Sequence, residues 1–310
     1  MKRINLDTFD IIRHKKLIFS ISIALVLFFI ASVFLFGFNL DVDFTGGATL
    51  TVDFGRATTV EDSDALETLF KDTVQFAPSS IQRTGESQIV VKSTELNATN
   101  REALQTAIVE KFKLSTMEGA SPISFDNIGG SVSKDIQRSV ILSTIIAIVL
   151  MLVYITFRFE LKSALAAIVC LTLNVIAMLL FYSVFQISVN SNLIACILTI
   201  LGYSINNTII VFDRVREIVK SDPMADFNQV INTSVSKSFT RTLNSSITTL
   251  LTITMIYIMG TPSVRNFTLP LMIGIVAGFF TSIYLAGPFW SLIRSKKDTE
   301  KTQKMKKIKI

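Results

Sequence analysis

The residues of this 310-residue chain that could do chemistry lie mostly in uncharged, apolar surroundings. Ser204, Asn207 and Thr208 fall at i, i+3 and i+4 within Gly202-Tyr203-Ser204-Ile205-Asn206-Asn207-Thr208, so they share one helical face. Further along, Thr242, Ser245, Ser246, Thr249 and Thr252 line a second broad face, with Arg241 just ahead of them. Such groups are costly in hydrocarbon unless paired, so both stripes must face protein or water. Two chemistries suit them: hydrogen-bonded glue between helices, or a path for an ion or substrate. The lone histidine, His14, precedes the apolar runs, and the only cysteines, Cys170 and Cys196, lie inside them. That excludes a histidine-based nucleophile relay, a zinc site and a disulfide framework. No catalytic residue, cofactor or metal is expected.

The elements that must position these stripes are membrane helices. Half of the residues are hydrophobic and 17% are charged, whereas soluble domains carry about a quarter. Uncharged runs cover 17–40, 139–157, 163–212, 242–264 and 266–293, and the third breaks at the polar stretch 186–192. Six segments result, each of about 20 residues, the length that crosses ~30 Å of hydrocarbon. The expected order is a cytoplasmic tail (1–16), a first span (17–38), an external domain (39–138), five further spans (139–293) and a basic cytoplasmic tail (294–310). The first apolar run is about twice the 7–15 residues of a signal-peptide core, so it reads as a retained anchor.

Orientation follows from charge. Both tails, the turn with Arg158 and Lys162, and the loop region with Arg214, Arg216, Lys220, Lys237 and Arg241 are basic, while the short odd loops offer only Arg265. This is the positive-inside pattern for cytoplasmic termini and a large external loop. The stretch Asp41–Arg138 holds 15 Asp and Glu against 9 Lys and Arg. The net +6 of the chain therefore masks two opposite halves, and its basic tails suit anionic membrane lipids better than nucleic acid.

Within the external stretch the hydrophobic period switches. Ala48–Phe54, Ser79–Arg83, Gln88–Ser93 and Pro122–Ile128 read as strands, and Val60–Asp72 and Asn97–Phe112 as helices, the latter capped by Asn97 or Thr99. The order β-α-β-β-α-β is the ferredoxin-like plan. Its scattered carboxylates read as a solvated acidic face rather than a glycosidase-like pair. Glycine pairs mark both junctions with the membrane, Asp43-Phe44-Thr45-Gly46-Gly47 and Ile128-Gly129-Gly130; they read as tight junctions or as hinges that let the domain swing. Gly274, Gly278, Ser282 and Ala286 recur every fourth residue in the last span, which suits close packing within the chain or against a partner. Pro270 and Pro288 mark ends or kinks there. Phe227, Val230, Ile231 and Val235 suggest a short amphipathic helix on the cytoplasmic surface.

Taken in order, Asp43-Phe44-Thr45-Gly46-Gly47, Gly202-Tyr203-Ser204-Ile205-Asn206 with Val211-Phe212-Asp213-Arg214-Val215-Arg216-Glu217, and Arg241-Thr242 leading into Ser245-Ser246 and Thr248-Thr249 resemble the SecF members of the SecD/SecF family of bacterial protein-export subunits. The resemblance covers nearly the whole chain. It implies a six-helix bundle of the resistance-nodulation-division (RND) superfamily in the inner membrane, a non-enzymatic export role, and coupling to the proton motive force. It also implies SecD, the SecYEG translocon and the translocating preprotein as partners, with YajC a further candidate. Proton-path candidates carried over are Ser204, Asn206, Asn207, Thr208, Asp213, Arg241, Thr242, Ser245, Ser246 and Thr249. One departure matters: the family commonly has an acidic, proton-conducting residue after Asn206, and here Asn207 stands there. No Asp, Glu or His occurs in the uncharged runs, and an amide does not titrate. A proton-driven complex would then take its carboxylate from the partner. A half-sized RND transporter of small molecules or lipids shares the architecture but needs an intramembrane titratable group of its own. A membrane-tethered sensor leaves the buried amides unexplained.

Overall fold

The computed structural model describes residues 10–93, 96–114, 122–222, 224–260 and 262–294; Lys2, Arg3 and the lysines of the C-terminal tail lie outside them. Helix α1 (Lys15–Phe36) leads through the short α2 (Val42–Thr45) into β1 (Gly47–Asp53), α3 (Val60–Val74), β2 (Ser80–Thr84), β3 (Gln88–Ser93), α4 (Ala98–Phe112) and β4 (Ile123–Ile128). Long helices then follow: α5 (Gly130–Arg158), α6 (Leu161–Val184), α7 (Asn192–Ser221), α8 (Phe227–Met259), and α9 (Pro262–Phe280), which runs through a π segment (Thr281–Leu285) into α10 (Ala286–Ile293). Among the described residues, six helical segments are long and apolar enough to span a bilayer.

The sheet order is β2-β3-β1-β4, antiparallel throughout, which is the ferredoxin-like arrangement. Alternation explains which face is covered: Ala48, Leu50 and Val52 of β1 and Ile89 and Val91 of β3 are buried, against Leu66, Phe70 and Val74 of α3 and Leu104 and Ile108 of α4. Asn97 stands at the N-cap of α4, but its side chain makes no capping bond. The stronger cap belongs to α3. There Thr59 and Asp62 form a reciprocal capping box, and Arg56 grips Asp62 through two bonds of 2.8 and 2.7 Å. The guanidinium holds the Asp62 carboxyl well below the usual carboxylate range against a smaller opposing effect of desolvation, and the Thr59 amide adds to the depression. A depressed carboxylate contributes stability above its unfolded pKa, near 3.9, and loses it only as pH falls further. Asp62→Ala is accordingly expected to cost about 1–2 kcal/mol locally at pH 7. Faster amide exchange across 59–74 would show it, and unchanged exchange would remove the cap from the account.

In the membrane half, α6, α7 and the α9–α10 segment form the centre, with about half of their most apolar stretches buried, while α1 and α5 are peripheral, with few residues fully buried. Small residues decide this: Ala164, Ala166, Ala167 and Cys170 on α6 are fully buried, and a Cβ on Gly274 would overlap the Ile200 side chain. The four-residue small stripe of the last span therefore serves packing inside the chain, against α7. Outward side chains such as Phe34, Phe157 and Met259 are more than four-fifths exposed, as lipid-facing residues should be. Pro270 lies within α9 rather than at an end. Pro288 lies within α10, just past the widened π turn in which the Ala286 amide donates to the Thr281 carbonyl.

One expected element does not exist as such. Phe227, Val230, Ile231 and Val235 begin α8 without a break and are buried in the chain's own core, beside Trp290 and beneath Gly287. The apolar stripe is real, but its partners are α7 and α10 and not the membrane surface.

Candidate functional site

Helices α7 and α8 run antiparallel, and Tyr203 Oη donating to Ser246 Oγ at 2.9 Å fixes their register. The polar stripe of α7 does not turn toward α8. Ser204 Oγ accepts from Asn174 Nδ2 of α6, and Asn174 Oδ1 accepts from Thr281 Oγ1 at 2.6 Å. Thr208 Oγ1 bonds Ser282 Oγ at 2.9 Å, and both hydroxyls reach the Ser204 carbonyl. Ser204, Thr208, Asn174 and Ser282 are fully buried. A neutral hydrogen-bonded cluster thus joins α6, α7 and the π segment at the centre of the bundle. Gly278 makes room for it, since a Cβ there would press on Ser204 at 3.3 Å. The reason is spatial: α9–α10 crosses α7 closely on the glycine side, so the hydroxyls of Thr281 and Ser282 arrive first. Sequence reading missed Asn174 and Thr281 as members and took Ser282 only for packing. The signal for Asn174 was present, because it is the only amide within α6.

Asn207 is different. It is fully buried, and neither its Oδ1 nor its Nδ2 has a hydrogen-bond partner among the described residues; the fully buried Thr242 hydroxyl has none there either. Asn207 lies about one turn beyond Tyr203, and Thr242 about one turn before Ser246. The antiparallel register therefore puts the two unpartnered groups at one depth. Buried polar groups are nearly always bonded, so this level of the α7–α8 pair is one place where the chain departs from the rule.

The remaining candidates scatter. Asn206 and Arg241 are exposed, as are Gly202, Asn244 and Thr248 at similar depth on the same two helices. Thr249 returns its hydroxyl to the Ser245 carbonyl at 2.9 Å. Asp213 lies a turn beyond the cluster, half-exposed, with Arg158 Nη2 at 3.7 Å. Exposed pairs of this kind contribute little stability.

A second assembly joins the external domain to the bundle. Lys92 Nζ of β3 meets Asp41 Oδ2 at 2.8 Å and Asp43 Oδ1 at 3.4 Å, while Asp43 Oδ2 accepts the Ser191 amide, at the threshold of α7, at 2.9 Å. Phe44 packs into the core of the spans, and its carbonyl accepts from Gln137 of α5. Burial opposes ionisation of Asp43 most, but the Ser191 amide and Lys92 together outweigh it and hold the carboxyl below its ordinary value. Gly46 has φ +79° and Gly47 φ +156°, and a Cβ on Gly47 would overlap the Ser93 carbonyl. Gly129 and Gly130 show no such need: Gly129 caps α5 at φ −63°, and a Cβ on Gly130 would meet open space. The junctions also touch, with Gly46 against the Ile128 carbonyl and Ser133. The geometry in this structure is that of a braced joint.

Against known proteins, the family model described as "Protein export membrane protein SecD/SecF, C-terminal" matches residues 108–296. The protein translocase subunit SecF of Petrotoga mobilis is 31% identical over 302 residues, 95% of this chain and 98% of that one. The protein translocase subunit SecDF of Bacillus subtilis is 30% identical over 91% of this chain and 37% of its own length. The crystal structure of SecDF, a translocon-associated membrane protein from Thermus thermophilus, superposes with a TM-score of 0.76 at 26% identity, over 94% of this chain and 39% of that chain. The present chain thus spans about two-fifths of each SecDF protein and nearly all of the SecF relative.

Proposed function

The chain belongs to the SecD/SecF family of protein-export membrane proteins, and from that premise we propose that it works as an accessory translocase subunit of the Sec export pathway. The observation that carries this is the extent of the match: 95% of this chain aligns with 98% of the relative named SecF, and the spans and the sheet domain superpose on one part of SecDF.

The partner is SecD. Fusion of a SecF-like part into one longer chain in the Bacillus subtilis relative supports that pairing. The surface supports it too, because Arg241, Asn206 and Asn244 are exposed within the apolar depth of α7 and α8, where lipid is a poor neighbour. A second six-helix bundle docked there would cover them. The finer reading adds SecYEG and the preprotein as further partners, YajC beside them, and no bond-making chemistry in this chain. Proton coupling in this reading uses a carboxylate of SecD. The neutral cluster around Ser204 holds α6, α7 and the π segment together, and Asn207 and Thr242 supply non-titrating hydrogen-bonding groups at the level left open. The braced joint would pass a displacement of α7 to β3 through Asp43 and Lys92.

Purification of the full chain from native membranes in mild detergent tests the reading. SecD should co-purify in stoichiometric amount, and precursors should accumulate when the chain is depleted. Recovery of a homo-oligomer alone, with normal precursor processing after depletion, would sink it and favour a stand-alone transporter. Topology is tested separately: Glu102→Cys on the exposed side of α4 should react with an impermeant thiol reagent in intact spheroplasts, and Asp222→Cys beyond α7 should not. The opposite pattern would invert the assignment.

A further inference from the structure

We infer that the end of the bundle near Arg158 carries a specific site for the phosphodiester headgroup of an anionic phospholipid. A 360 Å3 cavity opens there between the α5–α6 turn, the end of α7, the start of α8 and the end of α10. Its size falls within the ~300–1,000 Å3 of ligand sites. Four cations line it, Arg158, Arg216, Lys220 and Arg294, against one carboxylate, Glu160.

The charges are not all spent within the protein. Arg158 reaches Asp213 at 3.7 Å, and Arg216 donates to the Arg158 carbonyl at 3.3 Å. Lys220 and Arg294 have no carboxylate partner among the described residues; the Arg294 guanidinium instead lies 4.0 Å from the centre of the Phe227 ring. Stacking fixes that fork without consuming its hydrogen-bond donors, a state suited to gripping phosphate oxygens.

The wall supplies an independent sign. Trp290 is 5% exposed and clamped between Phe212 and Phe227, with ring centroids 4.9 and 5.4 Å away, yet its indole N–H has no acceptor among the described residues. Indole N–H groups are normally bonded when buried. A cationic, aromatic-walled cavity at the point where apolar spans give way to charge matches the chemistry of an anionic headgroup. Phe157, at the cavity rim and 87% exposed, offers an apolar surface for the attached acyl chain. Basic pockets between spans on the cytoplasmic side commonly read as sites of this kind. The site needs only that this end of the bundle lie at a bilayer surface, so it stands apart from the export reading.

Trp290 is the only tryptophan in the chain, so its fluorescence reports on the cavity alone. The full chain, reconstituted in phosphatidylcholine nanodiscs, would be titrated with phosphatidylglycerol brominated in the acyl chain, and separately with brominated phosphatidylcholine. Saturable quenching at a lower mole fraction of phosphatidylglycerol is expected. Arg216→Gln and Lys220→Gln, both on the exposed surface of α7, should each weaken that preference roughly fivefold, about the effect of one juxtamembrane charge. Equal quenching by both lipids, or variants that titrate like the wild type, would overturn the site. Millimolar inorganic phosphate that relieves quenching as effectively as unbrominated phosphatidylglycerol would reassign it to free phosphate. A Trp290 response only after co-reconstitution with a partner subunit would give the cavity to a protein segment.

Discussion

Gly47→Val should leave the spans inserted but break the joint between the external domain and the bundle. The new Cβ would overlap the Ser93 carbonyl, and Val42 Cγ1 would stand only 2.9 Å away. Neither can yield cheaply, because β1 pairs with β3 through Ala48 and Ser93, and Val42 is buried. Backbone strain at φ +156° adds to the overlap. Together these should cost about 3 kcal/mol or more, enough to unpair the start of β1. Asp43 and Lys92 flank that point, so the contact with the Ser191 amide should fail with it. Hydrogen exchange in detergent is the direct measurement: amides of 47–53 and 88–93 should lose protection while those of α6 and α7 keep it, and precursor processing should slow. Gly130→Ala makes the internal comparison, since its Cβ enters open space at the first turn of α5, and it should be neutral or slightly stabilising. Normal protection in Gly47→Val, or a Gly130→Ala defect of equal size, would show that the joint is not built as described.

Asn207→Leu should separate stability from function. A substitution that removes a bonded buried amide normally destabilises by orphaning its partner. Among the described residues Asn207 has no partner, so replacement by an apolar side chain of similar size removes two unsatisfied atoms and orphans none. The variant should therefore fold and melt at least as well as the wild type. Export should nevertheless fall by about tenfold if the amide bonds water or a moving neighbour during the transport cycle, the scale of one buried hydrogen bond lost. Asn207→Asp keeps the shape and adds a titratable group in place of the amide, so it should be tolerated. Its export should become more sensitive to an uncoupler. The measurement is precursor processing beside a detergent melt for each variant. An Asn207→Leu protein that exports normally would strip Asn207 of any role in the cycle; one that melts much earlier would mean that a partner for the amide exists.

Much of this architecture is dictated locally and was legible in residue order alone. Burial in a bilayer demands unbroken apolar length, so six spans could be counted from uncharged runs; a pleated sheet with one covered face demands period-two alternation, so β1 and β3 could be located within a residue. Gly46-Gly47 announced a tight turn for the same kind of reason, because a positive φ and a crowded Cβ are properties of single positions. What faces what is another matter. Residues three and four apart share a face of α7, but only the packing of α9–α10 against α7, set by Gly274 and Gly278, decided that Ser204 and Thr208 meet Asn174, Thr281 and Ser282 instead of α8. The stripe from Phe227 to Val235 had the right amphipathic period for a surface helix, and the period could not say whether lipid or Trp290 would cover it. Asn207 could be recognised as polar in an apolar span, but its lack of a partner among the described residues depends on side chains from several helices arriving elsewhere. Periodicity fixes which face a residue occupies, whereas close packing between distant segments fixes what that face meets.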